Sequence, residues 1–197
     1  MHHKRVAHAK GFSGKKTVPM CQLLQQKFWL PLHFPMNTFQ SFLEYYANVR
    51  KRTVRLLNSI PFEHFNFSYK AGKFSIADHI RHIAAVERLM FGETITGRKS
   101  LYKGCGPELG EKPEEIMQFF HQMHDETMEI LKDLKEDDWD RLCETPTGVK
   151  ISMGKWLQLL AEHEIHHRAQ LYLYANMLGL KTPPMYGMSS EELARIL

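Results

Sequence analysis

From Met153 to Leu178 the chain keeps an unbroken three- and four-residue rhythm through Met153, Trp156, Leu160, His163, His167, Leu171, Tyr174 and Leu178. On a helix these positions form one stripe, so the segment must fold as a long helix with that stripe turned inward. Two members of the stripe are histidines four residues apart, which places one ring above the other on the same face. A buried imidazole is tolerable only if its ring nitrogens find partners. A divalent ion satisfies both rings at once. A pair held this way is half of a metal site and needs one or two further ligands from elsewhere in the fold.

Three more segments carry the helical period. The first runs from about Asn37 to Ser59, with Phe39, Phe42, Leu43, Tyr46, Val49, Leu56 and Leu57 inward, and Pro61 ends it. The second opens at Ser75, with Asp78 three residues on as a capping-box signal. It runs through Ile76, Ile80, Ile83, Val86 and Met90 to about Thr96, with Gly97 as its stop. The third begins at Pro113 with Glu114 and Glu115 in its first turn, and carries Ile116, Phe119, Phe120, Met123, Thr127, Ile130, Leu131 and Leu134. The fourth is the histidine-bearing helix, capped by Ser152 and closed by Gly179. Between the third and fourth, Cys143–Ile151 reads as a turn or short strand-like piece. The connections at 60–74 and 97–112 are long, and long loops on a bundle line its functional end. The pattern predicts an all-α four-helix bundle over residues 36–197.

Composition narrows the setting. The chain has 197 residues, 43% hydrophobic and 24% charged, and no apolar run of membrane-spanning length. Cys21, Cys105 and Cys143 are odd in number and lack a CxxC spacing, which fits a reducing cytoplasm rather than a disulfide scaffold. The net charge of +4 is concentrated in residues 1–35, which hold six basic side chains and no acid. The remaining 20 basic and 22 acidic residues give about −2. No nucleic-acid surface is expected beyond that leader, and no membrane partner. The leader reads as a transit peptide, as a basic arm, or as an upstream extension of a domain that starts at Met36. The last is the expectation, because Asn37-Thr38 after Met36 makes a good helix cap.

The third metal ligand should come from the second helix, which offers His79 and His82. Periodicity places His79 nearer the centre of the apolar arc and His82 at its edge beside Val86 and Leu89, and leaves the choice open. The string Ser75-Ile76-Ala77-Asp78-His79-Ile80-Arg81-His82-Ile83-Ala84, with His163-Glu164-Ile165-His166-His167-Arg168-Ala169-Gln170 far downstream, resembles the DinB/YfiT-like four-helix metalloproteins. The resemblance covers about residues 36–188, including Gly179-Leu180-Lys181-Thr182-Pro183-Pro184 and Tyr186-Gly187. In that family a histidine seven residues after the helix-starting Ser or Thr joins a His-x3-His pair on the last helix. The resemblance therefore implies His82, His163 and His167 as ligands. Ala169 departs from it, since the family more usually has Gly there.

Other polar residues on the stripes have plainer expectations. Glu87 lies inside the apolar arc of the second helix, as an acceptor for an imidazole N–H or as half of a buried ion pair with Arg168. His166 points about 100° away from His167, towards the rim. His121 and His124 have no partner legible in the sequence. Trp156 and Tyr174 read as core, and Tyr172 is left open.

Three neutral imidazoles leave a divalent ion its full charge and an open position, whereas a structural site is normally closed by four protein ligands. Zn²⁺ and Ni²⁺ suit imidazole best, with Fe²⁺ and Mn²⁺ as the other options. Relatives in the resembled family include transferases and isomerases that use low-molecular-weight thiols such as bacillithiol or mycothiol, and others that look like hydrolases. The expectation is a metal-dependent thiol S-transferase acting on a small molecule in detoxification or stress, with Glu164 as general base and Arg168 contacting the ligands or an anion. Two rivals stand beside it. His163-Glu164-Ile165-His166-His167 matches HExxH, the helix of zinc hydrolases, although the longer metzincin pattern fails because Leu173 stands where a histidine belongs. The other rival is a non-enzymatic metal-binding stress protein acting as a homodimer.

Overall fold

The structure is a computed structural model that describes residues 38–185 and 187–196 of the chain; the basic leader falls outside the described residues. Helix α1 (Phe39–Leu57) starts where Thr38 Oγ1 accepts the Ser41 N–H at 3.1 Å. Glu136, from far along the chain, adds its carboxylate to the Phe39 and Gln40 N–H groups at 3.0 and 3.2 Å. An anion there complements the positive end of the helix dipole. Helix α2 begins at Ile76 with the expected box: Ser75 Oγ accepts from the Asp78 N–H, and the Asp78 carboxylate accepts from the Ser75 N–H. It runs as an α-helix over Ile76–Ala85, widens into a π-helical stretch at Val86–Gly92, and ends with Glu93–Ile95. The widening has no sequence signature and was not expected. Helix α3 is Pro113–Lys132 and α4 is Met153–Met177. Gly97 and Gly179 sit at φ +80° and +70° just past α2 and α4, the left-handed conformation that glycine adopts without steric cost. Pro61 plays a different part from the one expected. Helix α1 ends at Leu57, and Pro61 opens a short 3₁₀ turn at Phe62–His64.

The strand-like segment is a two-stranded antiparallel hairpin, β1 (Leu142–Glu144) with β2 (Lys150–Ser152), Cys143 opposite Ile151. It explains why the Ser152 hydroxyl makes no cap bond. The first N–H groups of α4 already have acceptors, since Met153 donates to the Arg141 carbonyl and Gly154 to the Trp139 carbonyl, both at 2.9 Å.

Helix α4 packs against α1 and α2, and α3 packs against α2. The apolar core is divided in two. One cluster gathers Phe39, Phe42, Tyr46, Val49, Ile95, Leu131, Trp156, Leu157 and Leu160; the other gathers Leu56, Ile76, Ile80, Ile83, Ile116, Phe120, Leu171 and Tyr174. Along every long helix, buried polar residues stand where one cluster gives way to the other: Arg50 and Thr53 on α1, Glu87 on α2, Thr127 on α3, and Glu164, His167 and Arg168 on α4. The bundle is thus two apolar layers with a polar belt across its waist. None of the described helices is long and apolar enough to cross a membrane.

Candidate metal centre

The belt has two parts. The first is ionic and closed. Arg50 reaches from α1 to pair with Glu87 of α2 and, at 3.0 Å, with Glu164 of α4, while its guanidinium lies 4.3 Å from the centre of the Phe120 ring on α3. Glu87 also accepts from His124 Nδ1 at 2.7 Å, and Tyr46 Oη stands 3.2 Å from Arg50. Burial alone pushes the Glu87 carboxyl up, but Arg50 and the His124 hydrogen bond outweigh it and hold it below the usual carboxylate range. One cation therefore joins all four helices.

The second part is the imidazole cluster between α2 and α4. His82, His163 and His167 each present a ring nitrogen, and these lie within 4.8 Å of one another. Ring centroids are 4.5 Å apart for His82 and His167, 4.6 Å for His163 and His167, and 5.0 Å for His82 and His163. The His82 and His163 Nε2 atoms are 3.1 Å apart. Two nitrogens bound to one tetrahedral ion at bonds of about 2.0–2.1 Å stand about 3.3 Å apart, so the observed spacing suits a shared cation. Burial, followed by the charge of neighbouring rings, pushes His163 down to about 4 and His167 to about 3; burial also lowers His82. All three are neutral at pH 7, the state in which imidazole ligates. Among the described residues His163 Nδ1 is buried with no hydrogen-bond partner. The donor set thus fits a divalent transition metal.

Of His79 and His82, the structure puts His82 in the cluster. His79 stands behind it: its Nδ1 is 3.1 Å from His167 Nδ1, and burial pushes its pKa down to about 4. A cavity of about 470 Å³ reaches His79 and His167 between Tyr69, Lys73, Phe74, Gln170 and Tyr174. The Phe74 ring stands edge-on to both His79 and His82, each at 5.4 Å.

The two residues expected to do acid–base and anion work lie elsewhere. Glu164 is buried against Arg50 and is not among the clustered nitrogen and carboxylate ligands; Arg168 is buried and donates to the Val49 carbonyl at 2.9 Å. The reason is periodicity: Glu164 is one residue from His163 and therefore about 100° round the helix, facing α1 instead of α2. Glu87 satisfies both of its expectations with other partners, an imidazole acceptor for His124 and an ion pair with Arg50. His166 is exposed, as the rim position implied. Arg50 was missed in the sequence, although a cation one turn after Tyr46 and beside Val49 on an otherwise apolar arc was the signal for it. Tyr102, whose hydroxyl lies 2.8 Å from His82 Nδ1, left no such signal, since its loop has no period to read.

The family model of the DinB family matches residues 36–196. The Bacillus subtilis protein YjoA is 24% identical over 146 residues, covering 73% of this chain and 93% of YjoA. The crystal structure of a DinB-like protein from Bacillus cereus superimposes with a TM-score of 0.67 at 17% identity, over 76% of this chain and 98% of that one. YfiT from Bacillus subtilis, described as a probable metal-dependent hydrolase with an unusual four-helix-bundle topology, gives 0.57 at 14% identity, over 72% and 90%. With its four-helix fold and with the family model spanning all four helices, this chain belongs to the DinB family.

Proposed function

We propose that the protein is a metal-dependent enzyme whose three imidazoles hold a divalent ion, and that it transfers a low-molecular-weight thiol to a small electrophile in detoxification or stress. The observation that carries this reading is the company the trio keeps: three neutral donors on the polar belt and no carboxylate in their cluster. An ion held there keeps its double positive charge and would stabilise a thiolate, or lower the pKa of a water, at an open position. A thiolate needs no further base once formed, whereas water attack gains from one, and Glu164 is turned towards Arg50. In the transfer, sulfur forms a bond to the electrophilic carbon as the carbon's bond to its leaving group breaks, and the leaving group takes that electron pair. The cavity beside His167 fits this use. Its lining has one cation, Lys73, and no acid, so it favours anionic thiols and substrates.

Metal-dependent hydrolysis, the activity given as probable for YfiT, is the second reading. The test is a metal count on purified protein followed by turnover. The parent should carry about one transition-metal ion per chain, lost when His82, His163 and His167 are changed together to Ala, with the helical circular-dichroism signal retained. Metal-dependent conjugation of monobromobimane to bacillithiol supports the transferase. Metal-dependent ester or amide cleavage without conjugation moves the assignment to hydrolysis, and metal binding with neither activity leaves a binding protein.

A further inference from the structure

A neutral imidazole carries one proton, and the nitrogen that lacks it is the one that can hold a metal. In His82 both ring nitrogens are spoken for. Nε2 faces the trio, 3.1 Å from His163 Nε2, and Nδ1 faces the Tyr102 hydroxyl at 2.8 Å. Only one arrangement of protons serves a shared cation: the proton on Nδ1, donated to Tyr102 Oη, and the lone pair on Nε2. The opposite tautomer would point an N–H into the centre. A tyrosine hydroxyl can accept or donate, and with the Nδ1 proton directed at it the Tyr102 oxygen is the acceptor, its own hydrogen turned away from His82.

The loop that carries Tyr102 is held on both sides by α2. The Leu101 N–H donates to the Leu89 carbonyl at 2.7 Å, and Ser100 Oγ donates to the same carbonyl at 3.3 Å, so the loop is docked on the π-helical stretch of α2. The Tyr102 N–H in turn donates to Ser100 Oγ at 3.3 Å. On the far side the buried Arg81 guanidinium donates to the Cys105 carbonyl at 2.9 Å and the Gly110 carbonyl at 2.8 Å, and Asp78 pins that guanidinium. Arg81 and His82 are neighbours on one helix. The residue that anchors the loop and the residue the loop orients are therefore set by the same turn of α2.

We infer that Tyr102 is a positioning residue of the metal centre. It fixes the Nδ1–H tautomer of His82, and the 97–112 loop exists in this form to deliver it. The inference rests on the metal reading above and concerns which atoms outside the ligand set support it. Such outer partners commonly change metal affinity about 10–100-fold.

The test is Tyr102→Phe, which keeps the ring and removes the hydroxyl. Zn²⁺ affinity is measured by competition with a chromophoric chelator, alongside the melting temperature of the metal-free protein. The imidazole ¹⁵N shifts of His82 are recorded in the Zn²⁺-loaded state. The expected result is affinity weakened about 10–100-fold with an almost unchanged metal-free melting temperature. The parent His82 should show a protonated Nδ1 whose N–H exchanges with solvent faster in the variant. Parent-like affinity and exchange in Tyr102→Phe, with His82→Ala losing the metal, would overturn the role of Tyr102 and leave the metal centre standing. Full affinity in His82→Ala would overturn the metal reading itself.

Discussion

Glu164 and His163 are neighbours on α4, yet they serve opposite halves of the polar belt. The half that Glu164 joins is ionic: Arg50 meets two carboxylates, and Glu87 meets both Arg50 and His124. The half that His163 joins is all imidazole, with no carboxylate among its clustered donors. Opposite charges meet in the first. In the second, three lone pairs converge with nothing opposite in sign within their cluster. A helix turning about 100° per residue sorts consecutive side chains into different environments, so one string of letters supplies both a structural clasp and a candidate reaction centre. The difference teaches that the glutamate of an HExxH-like string serves as a base only when the fold presents it to the metal.

The comparison breaks most readily at Arg50. Arg50→Ala would leave Glu87 and Glu164 buried against each other without a counter-charge. Removing one partner from a buried ionic group costs about 3–5 kcal/mol, and urea denaturation should show a loss of that size. A loss below about 1 kcal/mol, the range of exposed ion pairs, would mean the clasp contributes little. Next in size is Glu164→Gln, which keeps the shape and removes one of the two anions. Its cost should be about 1.5–3 kcal/mol, the range for hydrogen bonds to charged groups. Metal content should stay at the parent level. If turnover collapsed in this variant while stability held, Glu164 would belong to the chemistry and the division of the belt would be wrong.

The helices themselves were legible because their apolar positions repeat every three or four residues, and the caps at Thr38 and Ser75 and the glycines at 97 and 179 marked their ends. Two of the three clustered histidines were legible for the same reason, from their place on the last stripe. His82 was not fixed by periodicity; His79 fitted the arc as well, and the resemblance to a known family separated them. What stayed hidden was pairing across the sequence. Arg50 finds Glu87 and Glu164 at separations of 37 and 114 residues, and no local pattern encodes such a partner. The π-helical stretch is equally silent in the letters, and it carries both Glu87 and the carbonyl that docks Tyr102's loop.

The two halves also separate by pH. An unfolded histidine titrates near about 6.5, but burial holds His79 and His163 at about 4 and His167 at about 3 in the folded protein. Between those values the unfolded chain binds more protons than the folded one. The stability these rings contribute is therefore complete above about pH 6.5 and is lost as pH falls towards about 4. For Glu87 the depressed carboxyl sets a lower window: its contribution is present above the unfolded value of about 4.3 and fades only below it. The metal-free protein should therefore lose melting temperature progressively between about pH 7.5 and 5, through its imidazoles and before Glu87 is protonated. His163→Gln should shrink that first loss and leave the acid one untouched. A melting temperature that stays flat to about pH 5 and then drops in one step would show that the imidazole half is not held neutral by burial, and that the two halves of the belt do not differ in the way their charges are controlled.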